Sequence, residues 1–436
     1  MKSIFAGALL LAITLFDAHT SVAETVPFVP QGMEVFLKNG GWCWFQEPRA
    51  VISRDKLVVG AVAVHPRGEV KAAVYDLAER QPLGSVVLKT DFQPDDHNAP
   101  AFHLRDDGSL LAVYAAHGTE DRHYYRISDS SDYLRWGPEQ VTTHPGARIT
   151  YMNLFDIPTE KTLYCFYRRT EYRDGIQALF NPFFMASADD GSTWNEGRLL
   201  IADGVAGVQR PYVRYWGDGK AVHLLFTEAH PRDYNNSIYY ARFRGEAFYR
   251  ADGTCIKGLK DGGPLMPAEA ECIYEGGESN VAWCSSIVTD SKGRPHAAFS
   301  TRRSKADHRF HRALWDGASW QVNEVAFAGS GLYDAELDYT GLISLDPTEP
   351  TVAYISSDVE PGSGQPTNTH EIYTANLPQG VSRAEVNWRV ITRDSPYRNL
   401  RPVCVAGGGH KVLLWLRGPW RTYTDYDCDV VGVVLE

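Results

Sequence analysis

Seven times along the chain an apolar strand, a tight Gly/Asp/Lys turn and a second apolar strand recur. The hairpins fall at 49–64, 100–117, 151–169, 211–228, 281–302, 341–358 and 402–417. Their turns include Arg105-Asp106-Asp107-Gly108, Trp216-Gly217-Asp218-Gly219 and Asp290-Ser291-Lys292-Gly293. A more polar, aromatic hairpin follows each, beginning near Ala72, Tyr124, Phe183, Ile238, Phe310, Glu371 and Thr424. Two hairpins make four antiparallel strands, and a unit that small cannot bury its own faces. Stacking neighbours in a ring solves that problem. The pattern therefore predicts an all-β fold, a seven-bladed β-propeller with four antiparallel strands per blade. Two stacked β-sandwiches are the alternative. No strong helical period interrupts the pattern.

Composition agrees with short strands and turns. The 436 residues include 23 Tyr, 11 Trp, 38 Gly and 24 Pro, a mix that favours pleated, half-buried surfaces and tight turns over long helices. Hydrophobic residues at 44% and charged residues at 22% exclude wholesale disorder. The net charge of −11 argues against a general nucleic-acid binder, though it leaves room for a locally basic cleft.

The N-terminus has the features of a secretory signal: Lys2, an apolar run over 4–16, and the small-residue site Ser21-Val22-Ala23. That run is too short to span a bilayer. Residues 1–23 are expected to be removed, leaving 24–436 as one propeller domain, secreted or periplasmic, with no membrane partner and acting as a monomer. Seven cysteines are too few and too scattered for a dense disulfide framework, although a bridge such as Cys255–Cys272 is permitted in an exported chain.

One turn is more specific. Ser187-Ala188-Asp189-Asp190-Gly191-Ser192-Thr193-Trp194 fits the Asp-box pattern S-x-D-x-G-x-T-W. Its Asp and Ser can bond to backbone within a hairpin turn while its Trp packs between blades. It is read as a folding device. Degraded copies stand at 128–136 and 314–320.

Other motifs carry a family resemblance. The chain opens with Gly40-Gly41-Trp42-Cys43-Trp44-Phe45-Gln46-Glu47-Pro48-Arg49-Ala50. Then come Asp95-Asp96-His97-Asn98, Ala116-His117-Gly118, Asn181-Pro182-Phe183-Phe184-Met185, Arg210-Pro211-Tyr212-Val213 and Phe248-Tyr249-Arg250-Ala251-Asp252-Gly253. Together they resemble the secreted bacterial BNR-repeat proteins that include propeller-fold ulvan lyases and related rhamnose–glucuronate lyases. The resemblance covers nearly the whole mature chain and implies a polysaccharide lyase acting on an anionic, uronate-containing polymer.

Propeller geometry says which residues can meet. The start of strand one and the end of strand two of every blade lie on one face, around the central mouth; the Asp-box turn lies on the other. Strand-one starts bring Arg49, His97 with Asn98, Tyr151, Arg210, Asn280 and Arg401 to the mouth. Strand-two ends bring His117, Arg168 with Arg169, Glu228 with His230, Arg302 and Arg417. An acidic protein thus gathers His, Tyr and Arg on one rim, as a polyanionic sugar chain requires.

Within that set, His97 and His117 bracket one hairpin, and Tyr151 and Arg168 bracket the next. The fitting chemistry is β-elimination at a uronic acid. The proton beside the carboxylate is very weakly acidic, so the carboxylate charge must be neutralised, a task for an arginine. A base and an acid are also needed, and His and Tyr can be either. Ulvan lyases use two histidines, a tyrosine and an arginine, and the resemblance implies those roles for His97, His117, Tyr151 and Arg168. Tyr167 and Arg169 are rivals by position. Asn98, Arg210, Arg49 and Arg302 are expected to bind substrate, whereas His103, His123, His144 and His223 are read as structural.

No cofactor is needed for this chemistry. His230, Cys284 and His308 share a face between blades four and five and are a candidate set for a structural ion, zinc or calcium, without a recognisable fourth ligand. Two other functions stay open. A sialidase- or rhamnosidase-type hydrolase would use Arg49, Arg210, Arg302 and Arg401 as a carboxylate clamp and draw its acids from Glu47, Glu228 and Asp338. A non-catalytic carbohydrate-binding propeller would make the His–His–Tyr–Arg grouping incidental.

Overall fold

The structure, a computed structural model, describes residues 32–173, 176–202 and 210–435; the expected signal at 1–23 lies outside them. Seven blades ring a central axis. In blade one, Ala50–Ser53, Lys56–Ala63, Glu69–Asp76 and Gln81–Lys89 pair in sequence order, each antiparallel to the next. Blades two, three, five and six repeat that order. Blade four differs at its outer edge, where Ala247–Tyr249 and Glu271–Tyr274 both pair with Ile238–Arg244.

Burial falls from the axis outward. Lys56–Ala63 is buried along nearly its whole length, because neighbouring blades cover both of its faces, whereas Gln81–Lys89 is largely exposed. This explains why inner strands read as unbroken apolar runs and outer ones as polar. Aromatic layers fill the seams. Tyr164, Phe166 and Phe184 of blade three meet Tyr215 and Phe243 of blade four in one such layer.

Blade seven departs from the local-hairpin expectation. Its first three strands are Arg398–Gly407, His410–Gly418 and Asp429–Leu435, and the fourth is the N-terminal Met33–Leu37. Without that strand, Asp429–Leu435 would present an unpaired apolar edge. The sequence near Thr424 forms instead a small separate ribbon, Trp420–Thr422 with Asp425–Tyr426.

Between the closing strand and blade one, residues 40–48 run through the centre of the ring. Gly40 is required there, since a Cβ would stand 2.7 Å from Leu37 Cδ2 and 2.8 Å from Ala61 Cβ. Trp44 donates its indole N–H to the Thr340 carbonyl at 2.8 Å, and its ring packs on Tyr339 and Trp420. Phe45 packs on Tyr212 and Trp283 at 4.5 and 4.4 Å. The centre is therefore a packed plug.

The Asp box behaves as expected. Gly191 N–H donates to Ser187 Oγ, and Thr193 N–H to Asp189 Oδ1, each at 2.8 Å. Trp194 packs against the cluster containing Leu111 and Leu163, between blades two and three. Asp190 meets His103 and Arg105, at the turn between the first two strands of blade two. Strand Ala101–Leu104 starts at the His97 end and finishes at that turn, so the box and the histidines lie on opposite faces. Cys255 and Cys272 are free thiols, not a bridge.

A histidine pair at the mouth of the propeller

His97 sits in a single 3₁₀ turn, Asp96–Asn98, whose N-cap Asp95 accepts the His97 backbone N–H. That cap also organises the site. His97 Nδ1 bonds Asp95 Oδ1 at 2.6 Å, and His117 Nδ1 bonds Asp95 Oδ2 at 2.8 Å. The two imidazoles are stacked face to face, with centroids 3.6 Å apart and planes 7° apart. Gln93 ties the two segments together, accepting from the His117 backbone N–H with its side chain and from the Asn98 amide with its carbonyl.

Beneath the pair, Gln46 of the plug donates to the His97 carbonyl at 2.5 Å. Asp96 reaches His97 Nδ1 at 2.9 Å and pairs with buried Arg401 at 2.8 Å.

Two equal rings on one carboxylate titrate apart. Burial alone would lower His97, but Cys43 and the Asp95 and Asp96 carboxylates outweigh it and hold its pKa well above 6.5. His117 is pushed down to about 4, by burial first and then by the charge on His97. At neutral pH one ring is an imidazolium and the other a neutral base. The neutral one faces outward: the His117 side chain is 23% exposed, against 2% for His97.

Blade three supplies the other half. Tyr151 has φ of 61°, in the left-handed region that a bulky residue occupies only when its surroundings impose it. The register of Ile149–Ile157 against its neighbour slips between Thr150 and Asn153, a bulge that turns the ring toward the axis. Arg401 of blade seven repeats the device at φ 57°, beside the slip between Leu400 and Val403. Tyr151 lies 5.1 Å from His97 and 6.1 Å from His117, ring to ring. Burial pushes its phenol well above 10, so it is a neutral donor at working pH.

Arg168 pairs with Thr150 across the sheet and lays its guanidinium over the Tyr151 and Tyr212 rings, at 4.5 and 5.1 Å. It is 6% exposed, and its Nε and Nη1 have no hydrogen-bond partner among the described residues. A buried arginine with two idle donors, at a recess lined by Phe45, Tyr151 and Tyr212, is suited to receive a carboxylate. Its rivals point elsewhere. Alternation along the strand turns Arg169 to the Phe183 ring, and Tyr167 is packed beneath the surface beside His144.

Other expected residues are placed differently. Asn98 is fully buried, with its amide nitrogen on Gln93 and its Oδ1 unpartnered among the described residues. Arg49 lies below the rim, 2% exposed and bonded to Asn153; burial takes its pKa down to about 9. It braces the plug and is not presented to a ligand. Arg210 is half-buried on Asp233 at 3.4 Å, and Arg302 is held by Asp338 at 2.6 Å, away from the histidine pair.

The would-be metal set also disperses into separate bonds. Cys284 Sγ contacts the Tyr212 carbonyl, His308 Nδ1 the Gly329 carbonyl, and His230 Nδ1 accepts from Arg232 N–H. Among the described residues, the groupings with three ligand atoms within 4.8 Å of one another are Cys43–Asp96–His97 and Asp95–His97–His117. Both include His97, and His230, Cys284 and His308 belong to neither.

The carboxylates proposed for a hydrolase are committed too. Glu47 takes a two-point bond from Arg214, Glu228 accepts from Ser237 N–H and Tyr239 OH, and Asp338 holds Arg302. Two participants escaped the sequence reading. Asp95 was given no role of its own, since its bond to His117 spans 22 residues. Tyr423 stands edge-on to both imidazoles, at 5.3 and 5.9 Å, and comes from a ribbon the repeat pattern did not separate out.

Fold and rim together define a seven-bladed propeller with one His–Tyr–Arg site at its mouth. The chain belongs to the BNR repeat-containing family, whose profile matches residues 62–328. No curated protein sequence matches it. Its fold is similar to that of a PL25 ulvan lyase, a polysaccharide lyase solved bound to GlcA(1-4)Rha3S. The identity is 13% and the TM-score 0.64, with 92% of this chain and 97% of that one covered. It is also similar to the polysaccharide lyase Uly1, at 11% identity and TM-score 0.59, covering 89% and 90%. At such identities the likeness is one of fold. Among the described residues no helix is long and apolar enough to cross a membrane.

Proposed function

We propose that this protein is a polysaccharide lyase that cleaves a uronic-acid-containing polymer, ulvan-like and built of rhamnose and uronate, by β-elimination. The observation that carries the proposal is the shared carboxylate. Asp95 accepts Nδ1–H from both imidazoles, which leaves the outward Nε2 of neutral His117 free to take a proton.

In this mechanism Arg168 pairs with the uronate carboxylate and makes the adjacent C5 proton removable. His117 Nε2 takes that proton. The C4–C5 double bond forms as the C4–O bond breaks, and the departing oxygen takes the phenolic proton of Tyr151. His97 stays an imidazolium, adding positive charge beside the developing enolate and holding Asp95 in place. Solvent returns the proton from His117 to Tyr151. No cofactor enters these steps. Arg210 and Arg302 are proposed to meet anionic groups farther along the polymer.

Commitment of Glu47, Glu228 and Asp338 to structural bonds favours elimination over hydrolysis, which wants a free carboxyl pair. An extracellular polymer as substrate fits the apolar leader at 4–16 and action as a secreted or periplasmic monomer. The test is the product: incubation with ulvan and other uronate polymers should generate an unsaturated uronate, read by its ultraviolet absorbance. Saturated products only would replace the lyase with a hydrolase, and an uncut but bound polymer would make the protein a lectin.

A further inference from the structure

Tyr423 comes from the ribbon between the second and third strands of blade seven, which adjoins blade one, whereas blade three adjoins blade two. Several bonds hold the ribbon rigidly. Arg421 makes a two-point bond to Asp425 at 2.7 and 2.6 Å, His65 reaches the same carboxylate at 3.2 Å, and Tyr426 OH donates to the Val62 carbonyl. The Tyr423 carbonyl accepts Asp96 N–H at 3.0 Å, which ties the ribbon to the His97 turn.

The side chain itself is placed for contact with a ligand. Its ring stands at 83° and 81° to the two imidazoles. It is half-buried, and its hydroxyl has no hydrogen-bond partner among the described residues. A phenol held perpendicular to both imidazoles, with a spare donor, offers both an apolar platform and a hydrogen bond. Sugar rings take that combination from aromatic side chains.

We propose that Tyr423 is a second substrate-contacting tyrosine, which holds the sugar unit adjacent to the uronate seated on Arg168. The inference rests on the lyase proposal and adds a direction to it. The polymer crosses the mouth from the blade-three recess, over the histidine pair, to the blade-seven ribbon. Tyr151 and Tyr423 then divide the work: one gives a proton at the broken bond, the other binds the neighbouring unit.

The experiment uses the full-length protein, Tyr423→Ala and Tyr423→Phe, with circular dichroism as the folding control. Rates of unsaturated-product release and equilibrium binding of ulvan oligosaccharides are measured for each. Loss of the platform in Tyr423→Ala should raise KM and weaken binding about tenfold, with kcat within threefold of wild type. Tyr423→Phe keeps the ring and should recover most of that affinity. If Tyr423 merely braces the His97 turn, kcat falls while KM and binding stay at wild-type values, and the subsite is overturned; unchanged constants overturn it equally. A wild type that binds oligosaccharides in a Tyr423-dependent way yet releases no unsaturated product sinks the lyase assignment and leaves the subsite standing.

Discussion

His97 and His117 lie face to face with ring centroids 3.6 Å apart, and one carboxylate, Asp95, bonds the Nδ1 of each. A charge on one ring disfavours a charge on the other at that distance, so the pair carries a single positive charge. Asp95 pins both tautomers and fixes which ring faces outward. The charge of the first ring then keeps the second neutral.

Asp95→Asn should therefore be more damaging than a lost cap. An amide offers one acceptor oxygen where two Nδ1–H donors need one each, and it carries no charge to hold the His97 imidazolium. We expect kcat to fall by about a hundredfold or more, in the range of losing a proton-transfer group. Because no single bond carries the fold, the circular dichroism spectrum should be retained. Wild-type turnover in a folded Asp95→Asn protein would refute the shared-carboxylate mechanism.

The pH profile follows from the two rings. Elimination needs His117 neutral, and its pKa is depressed to about 4. Activity should persist well below the usual histidine range and fall only as pH drops through about 4. On the alkaline side it should decline as His97 loses a proton above 6.5, since that pKa is raised. An acid limb in kcat near 6.5 would mean that an unperturbed histidine is the base.

Arg168→Lys is not conservative here. An ammonium cannot make a planar two-point contact with a carboxylate, nor stack on Tyr151 and Tyr212 as the guanidinium does. Turnover should drop by about a hundredfold, roughly 3 kcal/mol of transition-state stabilisation. Steady-state kinetics on a uronate polymer measures it; near-normal turnover would transfer the neutralising role to Arg210.

His117→Ala and Tyr151→Phe should each remove about 10²–10⁴-fold of activity, and the double variant should lose little more than the worse single one. An elimination without its base gains almost nothing from its acid. Additive losses would show that the two groups serve separate steps.

Stability has its own acid limit. Burial lowers His123 to about 3 and His144, His296 and His311 to about 4. Folded, these rings stay neutral, while the unfolded chain takes up their protons below 6.5. Their contribution is complete above 6.5 and is lost as pH falls toward 4. Thermal unfolding should show Tm dropping steeply as pH falls between those values. At the ring closure, Phe36 packs edge-on to Tyr75 at 4.9 Å and is 4% exposed. Phe36→Ala should cost about 3–5 kcal/mol, seen as a lower Tm, because the ring it removes joins the closing strand to Tyr75 of blade one.

The repeat of apolar hairpins was enough to determine seven blades, the Asp-box face and the opposite mouth, since strand alternation and short turns are local properties of the chain. Position in the hairpin was likewise enough to bring His97, His117, Tyr151 and Arg168 to one rim. The Thr424 region misled because the last blade is completed from the far end of the sequence, and no local pattern reports a partner almost 400 residues away. Arg49 misled for a related reason: a strand-one start predicts the rim, but the plug at 40–48 fills the axis and buries it. What only tertiary structure decided was the electrostatics. Asp95 reaches His117 across a whole hairpin, and the burial that separates the two imidazole pKa values exists only once seven blades close around the plug. Which histidine is left neutral is therefore a property of the assembled ring, written in no single segment of the chain.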